Sequence, residues 1–402
     1  MKINVKAFAE KYEDELIETR RLIHQNPELS NEEFETTKLI RSKLEEYGVE
    51  IAEIGMKTGV VGVLRSGKPG KTIALRADID ALRMSEETGL SFASKHTGKC
   101  HSCGHDIHTA ILIYCAKILS EIKSELNGNV MFLFQPAEES GSGAQQLEAC
   151  RFWEVLKPDV FVGLHTAPDR PVGTIVVKAG AANASSDGFH IRVIGHGGHG
   201  AHPEKCIDPI MIACSVVTQL QTIVSREIHP IHPAVLTIGM IQGGTAGNVI
   251  ADHVDIEGTL RTLDNESRQQ SKAAIARIAK LTAEALRGSA EVTWKSEGLP
   301  VKVHDRQVID GIAASAAKII GANNIIWKDF ASMGSEDFGV LFPKYGPGAQ
   351  FGLGTQDPAD PCTAIGLHNA RNIFDERCLS IGLAILLQYT LDFLQDGRNE
   401  QA

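Results

Sequence analysis

The sequence lacks the features that mark several common classes of protein. It has no block of basic residues and carries a formal net charge of −10, so it does not offer the clustered positive face that nucleic-acid binding needs. We find no apolar run long enough to span a bilayer, and residues 1–11 lack the apolar core of a signal peptide. We therefore expect a cytoplasmic protein that binds neither nucleic acid nor membrane.

Cysteine is too sparse for a disulfide framework. The chain has eight cysteines scattered over 402 residues, whereas disulfide-stabilised domains are small and dense in cysteine. The pair Cys100-x-x-Cys103 could form half of a zinc ribbon or a redox pair, but no second Cys-x-x-Cys follows it. The sequence therefore predicts thiols that are mostly reduced.

What the sequence does contain is a dense group of metal-ligand side chains. The stretch Cys103-Gly-His-Asp-Ile-His108 combines a thiol, two imidazoles and a carboxylate, a mixture that suits zinc, cobalt, nickel or manganese. The apolar residues from Thr109 onward predict a buried helix, so we expect the group to lie on a loop that leads into a helix N-terminus. From these residues alone, the alternative is a reduced cysteine beside surface histidines.

Acidic and imidazole side chains follow several stretches that are typical of buried strands. Asp80, the pair Glu138 and Glu139, and then His165 each come directly after such a stretch. In an open α/β sheet, ligands bind beyond the carboxyl ends of the strands. We therefore expect these side chains to meet at one edge of a sheet. For Glu138 and Glu139 alone, a solvated turn is the alternative.

The length and the order of elements predict two domains, since 402 residues exceed what one core usually holds. Residues 184–295 show the order strand–helix–strand–strand–helix–strand, which is that of a split βαβ, or ferredoxin-like, sandwich. Segments that are typical of the buried strands and helices of an α/β domain precede and follow residues 184–295. The sequence thus predicts an α/β fold in which residues 1–183 and 296–402 form one domain with a mixed central sheet, interrupted by the ferredoxin-like domain.

Near the N-terminus, residues 5–24 are predicted to form one helix. The stretch Ser30-Asn-Glu-Glu33 matches a capping box, which predicts the start of a second helix. Phe34, Ile40 and Leu44 are expected on the buried face of that helix.

Two loops and one arginine in the inserted unit are candidate ligand contacts. Residues 195–202 form a loop rich in glycine and histidine, for which a flexible turn with solvated histidines is the alternative. Residues 243–248 are also rich in glycine, but they lack the lysine and hydroxyl of a phosphate-binding loop. Arg261 could pair with a carboxylate through its planar guanidinium, or it could be an ordinary surface arginine.

Several of these motifs together carry a family resemblance. They follow one another in order through most of the chain, at residues 75–82, 103–110, 135–139, 163–165, 197–201, 243–250, 258–261, 334–338 and 367–369. In this combination the chain resembles the metal-dependent amidohydrolase family of aminoacylases, hippurate hydrolases and plant indole-acetyl-amino-acid hydrolases.

The resemblance implies a catalytic α/β domain that binds two divalent metal ions per subunit. Manganese is the first choice of metal, with zinc, cobalt and nickel as alternatives. The implied metal ligands are Cys103, His105, Glu139, His165 and His368.

The resemblance also implies roles for residues that are not metal ligands. Glu138 would be the general base and then the general acid, and Asp80 would orient or tune the metal site. The inserted domain would be a lid that forms a homodimer or a higher homo-oligomer. On this lid, His199 would reach the active site of the partner subunit, while Asn248 and Arg261 would hold substrate oxygen atoms.

A few positions depart from the family pattern. Arg83 replaces a common proline, Ser102 an alanine, Ile107 a small residue and His196 a lysine. None of these changes removes an implied ligand or the implied base, so they bear on the substrate and not on the reaction class.

The favoured hypothesis is a metal-dependent amidohydrolase that cleaves N-acyl amino acids to an amino acid and a carboxylate. An N-acetyl-diaminopimelate-type deacetylase and a dipeptidase or carboxypeptidase are alternative enzymes. A different class, a metal-stabilised binding protein without turnover, is disfavoured because Glu138 is intact.

Overall fold

The computed structural model describes residues 3–295, 298–342 and 344–396. Its α-helices are α1 (Val5–Lys11), α2 (Glu13–Gln25), α3 (Phe34–Glu46), α4 (His105–Glu121), α5 (Gly143–Ala149), α6 (Pro209–Thr222), α7 (Asn265–Ala285), α8 (Arg306–Ile320) and α9 (Cys378–Asp396). Its β-strands are β1 (Glu50–Ile51), β2 (Val60–Arg65), β3 (Thr72–Asp78), β4 (Asn129–Gln135), β5 (Val160–Pro171), β6 (Ile175–Val177), β7 (Gly180–Asn183), β8 (Asp187–Ile194), β9 (Gly198–His199), β10 (Ala234–Gly243), β11 (Val249–Ile250), β12 (His253–Thr262), β13 (Ser289–Trp294), β14 (Lys302–His304), β15 (Ile325–Trp327) and β16 (Gly348–Gln356).

The chain divides into two compact units. The first unit comprises Met1–Gly180, Val303–Phe330 and Val340–Ala402, and the second comprises Ala181–Lys302 and Ala331–Gly339.

These units differ from the predicted domains in detail. The second unit begins a few residues before the predicted range 184–295, and the predicted boundary at residue 296 lies outside the described residues. Residues 331–339 were expected in the first domain but group with the second unit. The physical reason is local pairing, because Ser332 forms a parallel bridge with Asn183.

The first unit is built on an eight-stranded mixed sheet with the order β1-β2-β4-β3-β5-β16-β6-β15. Strands β4, β3, β5 and β16 run parallel to one another. Strand β3 is buried along its whole length, and β4 along all but its first residue, as expected for strands covered on both faces. This sheet confirms the predicted α/β class, and it brings the carboxyl ends of β3 and β4 side by side.

The C-terminal helix α9 corrects one expectation from the sequence. Its segment Cys378–Gln395 is long and apolar enough to cross a membrane by length and composition, although no such run was expected. However, 67% of that segment is buried inside the protein, and Leu379, Leu383 and Leu387 belong to the main core cluster together with residues of α4. The helix therefore has the burial of a core helix.

The second unit contains a four-stranded antiparallel sheet with the order β10-β12-β8-β13. Helices α6 and α7 pack against this sheet, and alternate residues of β8 and β12 lie in the core between them. This is the predicted split βαβ order, which is confirmed.

Two predictions about the N-terminal helices were wrong. The expected single helix over residues 5–24 is interrupted at Tyr12, whose backbone leaves the helical region with φ −108° and ψ 10°. In α3, Ile40 and Leu44 are buried as predicted, but the Phe34 side chain is 42% exposed. The Phe34 side chain therefore does not contribute to the core.

The predicted capping box at the start of α3 is also absent. Glu33 occupies the N-cap position, but no side chain there accepts a hydrogen bond from the helix. Instead, the Glu28 carboxylate accepts hydrogen bonds from the backbone N–H groups of Glu35 at 3.0 Å and Thr36 at 2.8 Å. Because Glu28 satisfies these helix-end donors, Ser30 and Glu33 are left for other contacts.

Candidate metal centre and active site

The cysteine–histidine stretch lies partly inside a helix, and not wholly on a loop as predicted. Helix α4 begins at His105, directly after Gly104, which has a φ of +85°. A Cβ atom on Gly104 would lie only 2.6 Å from Cγ2 of Thr166, so both its conformation and the available space require glycine. The hydroxyl of Thr166 donates a hydrogen bond of 2.7 Å to the backbone oxygen of Cys103. These contacts fix the stretch against strand β5.

Cys103 and His165 face each other across this junction. The Cys103 Sγ atom lies 3.6 Å from Nε2 of His165. The other ring nitrogen of His165 lies 2.9 Å from the backbone oxygen of Thr166, so that nitrogen carries the proton and Nε2 is left as a ligand atom. His165 lies within β5 and not after its end. Burial raises the pKa of the Cys103 thiol well above its ordinary value.

His105 presents one ring nitrogen to the same space. Its Nδ1 atom lies 2.9 Å from the backbone oxygen of Asp80, so it donates there. Its Nε2 atom is buried and has no hydrogen-bond partner among the described residues, and it lies 3.8 Å from Oε1 of Glu139. Burial opposes a charge on this ring, but the Asp78 carboxylate, together with the nearby Cys103 side chain, outweighs it and raises the pKa of His105 well above its ordinary value.

His368 approaches from a loop of the C-terminal part of the first unit. Its Nε2 atom lies 3.4 Å from Oε1 of Glu139, and this carboxylate raises the pKa of His368. The backbone of His368 has a φ of +59°, which is uncommon for a residue with a side chain. Its N–H group donates a hydrogen bond to the backbone oxygen of Ser102, which ties the loop to the cysteine–histidine stretch.

The structure brings all five predicted ligands together. Their ligand atoms lie within 4.8 Å of one another in overlapping groups, which are Cys103 with His105 and His165, Cys103 with Glu139 and His368, and His105 with Glu138 and Glu139. Thiolate, imidazole and carboxylate donors suit divalent transition metals. In the part of the chain that the structure describes, His105 Nε2 and Glu139 Oε1 are both buried without a hydrogen-bond partner, and such a cation would satisfy them. The residues present therefore fit a divalent metal centre.

Asp80 supports the candidate ligands through hydrogen bonds. Its two carboxylate oxygens accept hydrogen bonds from the backbone N–H groups of Glu138 at 3.1 Å and Glu139 at 3.0 Å. Its backbone oxygen is the partner of His105 Nδ1, and Ser30 Oγ donates to its side chain at 2.6 Å. Although burial opposes the charge, the hydrogen bond with His105 lowers the pKa of Asp80. Asp80 therefore orients His105 through its backbone oxygen and the Glu138–Glu139 turn through its carboxylate.

A buried pair at this site, Asp78 and His108, was not predicted from the sequence, although His108 belongs to the cysteine–histidine stretch. His108 Nδ1 lies 2.5 Å from Oδ1 of Asp78, and His108 Nε2 accepts a hydrogen bond from the backbone N–H of Thr166. Both ring nitrogens of His108 are thus engaged, so we regard His108 as a link between β3, α4 and β5, although its ligand atoms lie near those of His105. The spacing of His105 and His108 by three residues was the signal that could have revealed it.

In the second unit, the two glycine-rich loops lie side by side. Val249 of β11 pairs with His199 of β9, and the N–H group of Gly200 donates a hydrogen bond of 2.8 Å to the backbone oxygen of Asn248. The His199 side chain is exposed, and its Nδ1 atom accepts a hydrogen bond from the N–H of Ala201. His199 Nε2 therefore carries the ring proton and can donate to a ligand.

Arg261, on strand β12 of the second unit, has an unusual environment. Its Nη1 atom is buried and has no hydrogen-bond partner within the described ranges, and burial lowers the pKa of the guanidinium. A buried guanidinium donor without a partner is suited to bind a carboxylate. This differs from an ordinary surface arginine.

Comparisons with known proteins extend this description. The family described as Peptidase family M20/M25/M40 matches residues 74–392. An N-acetyl-L-cysteine deacetylase of Bacillus subtilis is 45% identical over 305 residues, which cover 76% of this chain and 72% of that protein. A hippurate hydrolase of Campylobacter jejuni is 37% identical over 376 residues, covering 94% and 96% of the two chains. A solved Bacillus subtilis structure, described as a dinuclear metal binding peptidase from the M20 family, is similar with a TM-score of 0.82 at 35% identity, covering 96% of this chain and 99% of that one.

Proposed function

The chain belongs to peptidase family M20/M25/M40, and we propose that this hydrolase of linear amide bonds cleaves N-acyl amino acids to a free amino acid and a carboxylate. The main observation behind this proposal is that Glu138 lies beside overlapping groups of side chains that can bind metal ions. The printed names of the relatives, a deacetylase of N-acetyl-L-cysteine and a hippurate hydrolase, support this substrate class. The free thiols of all eight cysteines accord with the cytoplasmic location that we propose.

We assign two divalent metal ions to the first unit. The residues that would hold them are Cys103, His105, Glu139, His165 and His368. When bound, two such ions lower the pKa of water toward neutrality and polarise a carbonyl oxygen. The family resemblance makes manganese the first choice, and the donor set of carboxylates, imidazoles and one cysteine sulfur also suits zinc, cobalt or nickel.

Glu138 is the proton carrier of this proposal. Its carboxylate takes a proton from the attacking water as the water oxygen bonds to the amide carbon, and it delivers that proton to the leaving nitrogen when the C–N bond breaks. In this proposal Glu139 binds a metal ion, so its carboxylate is not available for proton transfer. Asp80 keeps the two neighbours in place because it binds the backbone N–H group of each.

The second unit supplies the substrate contacts. We assign His199 the role of donating a hydrogen bond to the oxygen that becomes negative during attack. Asn248 and Arg261 would hold oxygen atoms of the substrate, and the unpartnered guanidinium nitrogen of Arg261 is suited to a carboxylate.

We further propose a homodimer formed through the second unit. Among the described residues, strand β10 pairs only with β12 and so is an edge of the four-stranded sheet, and it exposes the apolar side chains of Val235, Met240 and Ile241. An exposed apolar edge strand is a template for pairing with another chain.

Replacing Ile241 with arginine should therefore shift the protein from dimer to monomer. The added charge would have to be buried at the interface without a partner. Sedimentation velocity measures the outcome, and Leu281→Arg on α7, another exposed apolar position, is the matched control. A dimer that persists in Ile241→Arg, or dissociates equally in Leu281→Arg, would exclude this edge as the interface.

Replacing His105 with alanine should lower the metal content. The variant loses an imidazole whose free nitrogen faces the candidate centre, and loss of one ligand weakens binding at that position. Metal analysis after dialysis gives the result. The control is His101→Ala, since His101 lies two residues before the cysteine–histidine stretch and is also buried but is not an assigned ligand. Equal metal content in His105→Ala and the unaltered protein would remove His105 from the ligand set.

The substrate class is tested by a panel of amides with the manganese-loaded enzyme. The panel contains N-acetyl, N-benzoyl, long-chain acyl and indole-acetyl amino acids, N-acetyl-diaminopimelate and simple dipeptides. We expect release of free amino acid from one or more N-acyl amino acids. Turnover of N-acetyl-diaminopimelate alone would identify the narrower deacetylase, and turnover of dipeptides alone would contradict the proposed substrate class.

A further inference from the structure

The turn that carries Glu138 is held by two buried carboxylates from distant parts of the chain. Asp80 accepts hydrogen bonds from the N–H groups of Glu138 and Glu139. The N–H group of the preceding residue, Ala137, donates a hydrogen bond of 2.8 Å to Oε1 of Glu33. Three consecutive backbone donors are therefore fixed by two side chains, and only one of these, Asp80, belongs to the stretches that carry the family resemblance.

The backbone at Ala137 needs this support. Its φ is +56°, in the left-handed region that residues with a side chain seldom occupy. Such a conformation persists only when the surroundings hold it. Ala137 itself donates the hydrogen bond to Glu33. This bond therefore stabilises the backbone at the strained residue, which directly precedes Glu138.

The Glu33 side chain is also buried too deeply for its hydrogen bond with Ala137 to be an incidental surface contact. Its side chain is fully buried, at 0% exposure, and a buried carboxylate is costly unless it is hydrogen-bonded. Burial and the nearby Asp80 charge raise the pKa of Glu33.

Helix α3 contacts the same region at a second point. Thr37 Oγ1 accepts a hydrogen bond of 2.8 Å from the N–H of Gly59. Gly59 itself lies against the turn, because a Cβ atom added to it would lie 2.6 Å from the ring of Pro136. The start of α3 is thus packed around the turn from residues 136 to 139.

We propose that Glu33 is a positioning residue, which holds the Glu138 carboxylate in its working place through the backbone of Ala137. The inference rests on the proposed function, in which Glu138 carries the proton. Glu33 does not touch the substrate or a metal ligand side chain in this account. Its effect is on the geometry of proton transfer, which depends steeply on small displacements.

The test compares substitutions at Glu33 in the metal-loaded enzyme. Glu33→Met removes the acceptor, and we expect kcat to fall by about 10- to 100-fold, the range found for supporting residues around metal sites, while KM and metal content stay unchanged. Glu33→Gln keeps an acceptor oxygen for Ala137 and should stay close to the unaltered enzyme. The matched control is Glu32→Gln, because Glu32 is exposed and pairs with Lys99 at the surface.

The outcomes separate this inference from the proposed function. Unaltered kcat in Glu33→Met overturns it, as does an equal loss in Glu33→Gln, or a loss that appears in KM or metal content. If Glu33→Met does not fold, Glu33→Asp decides, because its side chain is one carbon too short to reach Ala137 and should lower kcat. Glu138→Gln is measured in parallel: full turnover in that variant refutes the proposed function and the inference with it, whereas its inactivity beside an unaffected Glu33→Met refutes the inference alone.

Discussion

Glu138→Gln is expected to abolish amide hydrolysis while the fold and the metal content remain unchanged. Glutamine has nearly the same shape but cannot take a proton from water, so we expect kcat to fall by at least about 10²–10⁴-fold, the usual contribution of one acid–base group. The backbone hydrogen bond from Glu138 to Asp80 does not involve the altered atoms. Steady-state kinetics, circular dichroism and metal analysis on one preparation measure the three quantities.

The neighbouring residue provides the matched control. Glu139→Gln alters the same type of side chain one position away, where Oε1 lies within 4 Å of His105 and His368. We expect this variant to lose bound metal together with activity. If Glu138→Gln retains turnover, or if it loses metal as Glu139→Gln does, the division of roles between the two carboxylates is wrong.

His199→Ala is expected to reduce kcat by about 10²–10³-fold, the loss typical of removing one donor to a developing oxyanion. His199 is exposed on a loop of the second unit, and its Nδ1 atom is already engaged by the N–H of Ala201, so the ring can donate from Nε2. KM should change less than kcat, because the hydrogen bond is strongest after attack on the carbonyl.

A mixture of two inactive variants tests whether the active site is shared between subunits. Neither His199→Ala nor Glu138→Gln alone should be active. In a mixed dimer, one site would combine an intact Glu138 with His199 of the other subunit. Random pairing at equal concentrations should then restore about a quarter of the original activity. Absence of rescue after demonstrated subunit exchange would place His199 in the site of its own subunit or outside the site.

The strand-end argument from the sequence predicted much of the metal centre. Asp80, Glu138 and Glu139 meet in the structure because β3 and β4 are adjacent parallel strands, so their carboxyl ends lie at one edge. His368 was not predicted in this way, because it lies on an irregular loop with a φ of +59° and does not come directly after a strand. Only the family resemblance pointed to it.

The start of α3 shows why local patterns can mislead. Ser30 and Glu33 match a capping box, but Ser30 donates to Asp80 and Glu33 accepts from Ala137, which is 104 residues away in the chain. The same side chains can satisfy a helix end or a distant turn, and the hydrogen-bonding groups are identical in both cases. Only the tertiary fold decides, and here Glu28 takes the capping role.

The most direct test of the account is a metal titration of the stripped protein during hydrolysis of an N-acyl amino acid. The account predicts no release of amino acid without metal, and recovery that is complete at two divalent ions per chain. It also predicts no recovery in His105→Ala at the same metal concentration. Hydrolysis by the stripped protein, or equal recovery in His105→Ala, would contradict a metal centre built on these side chains.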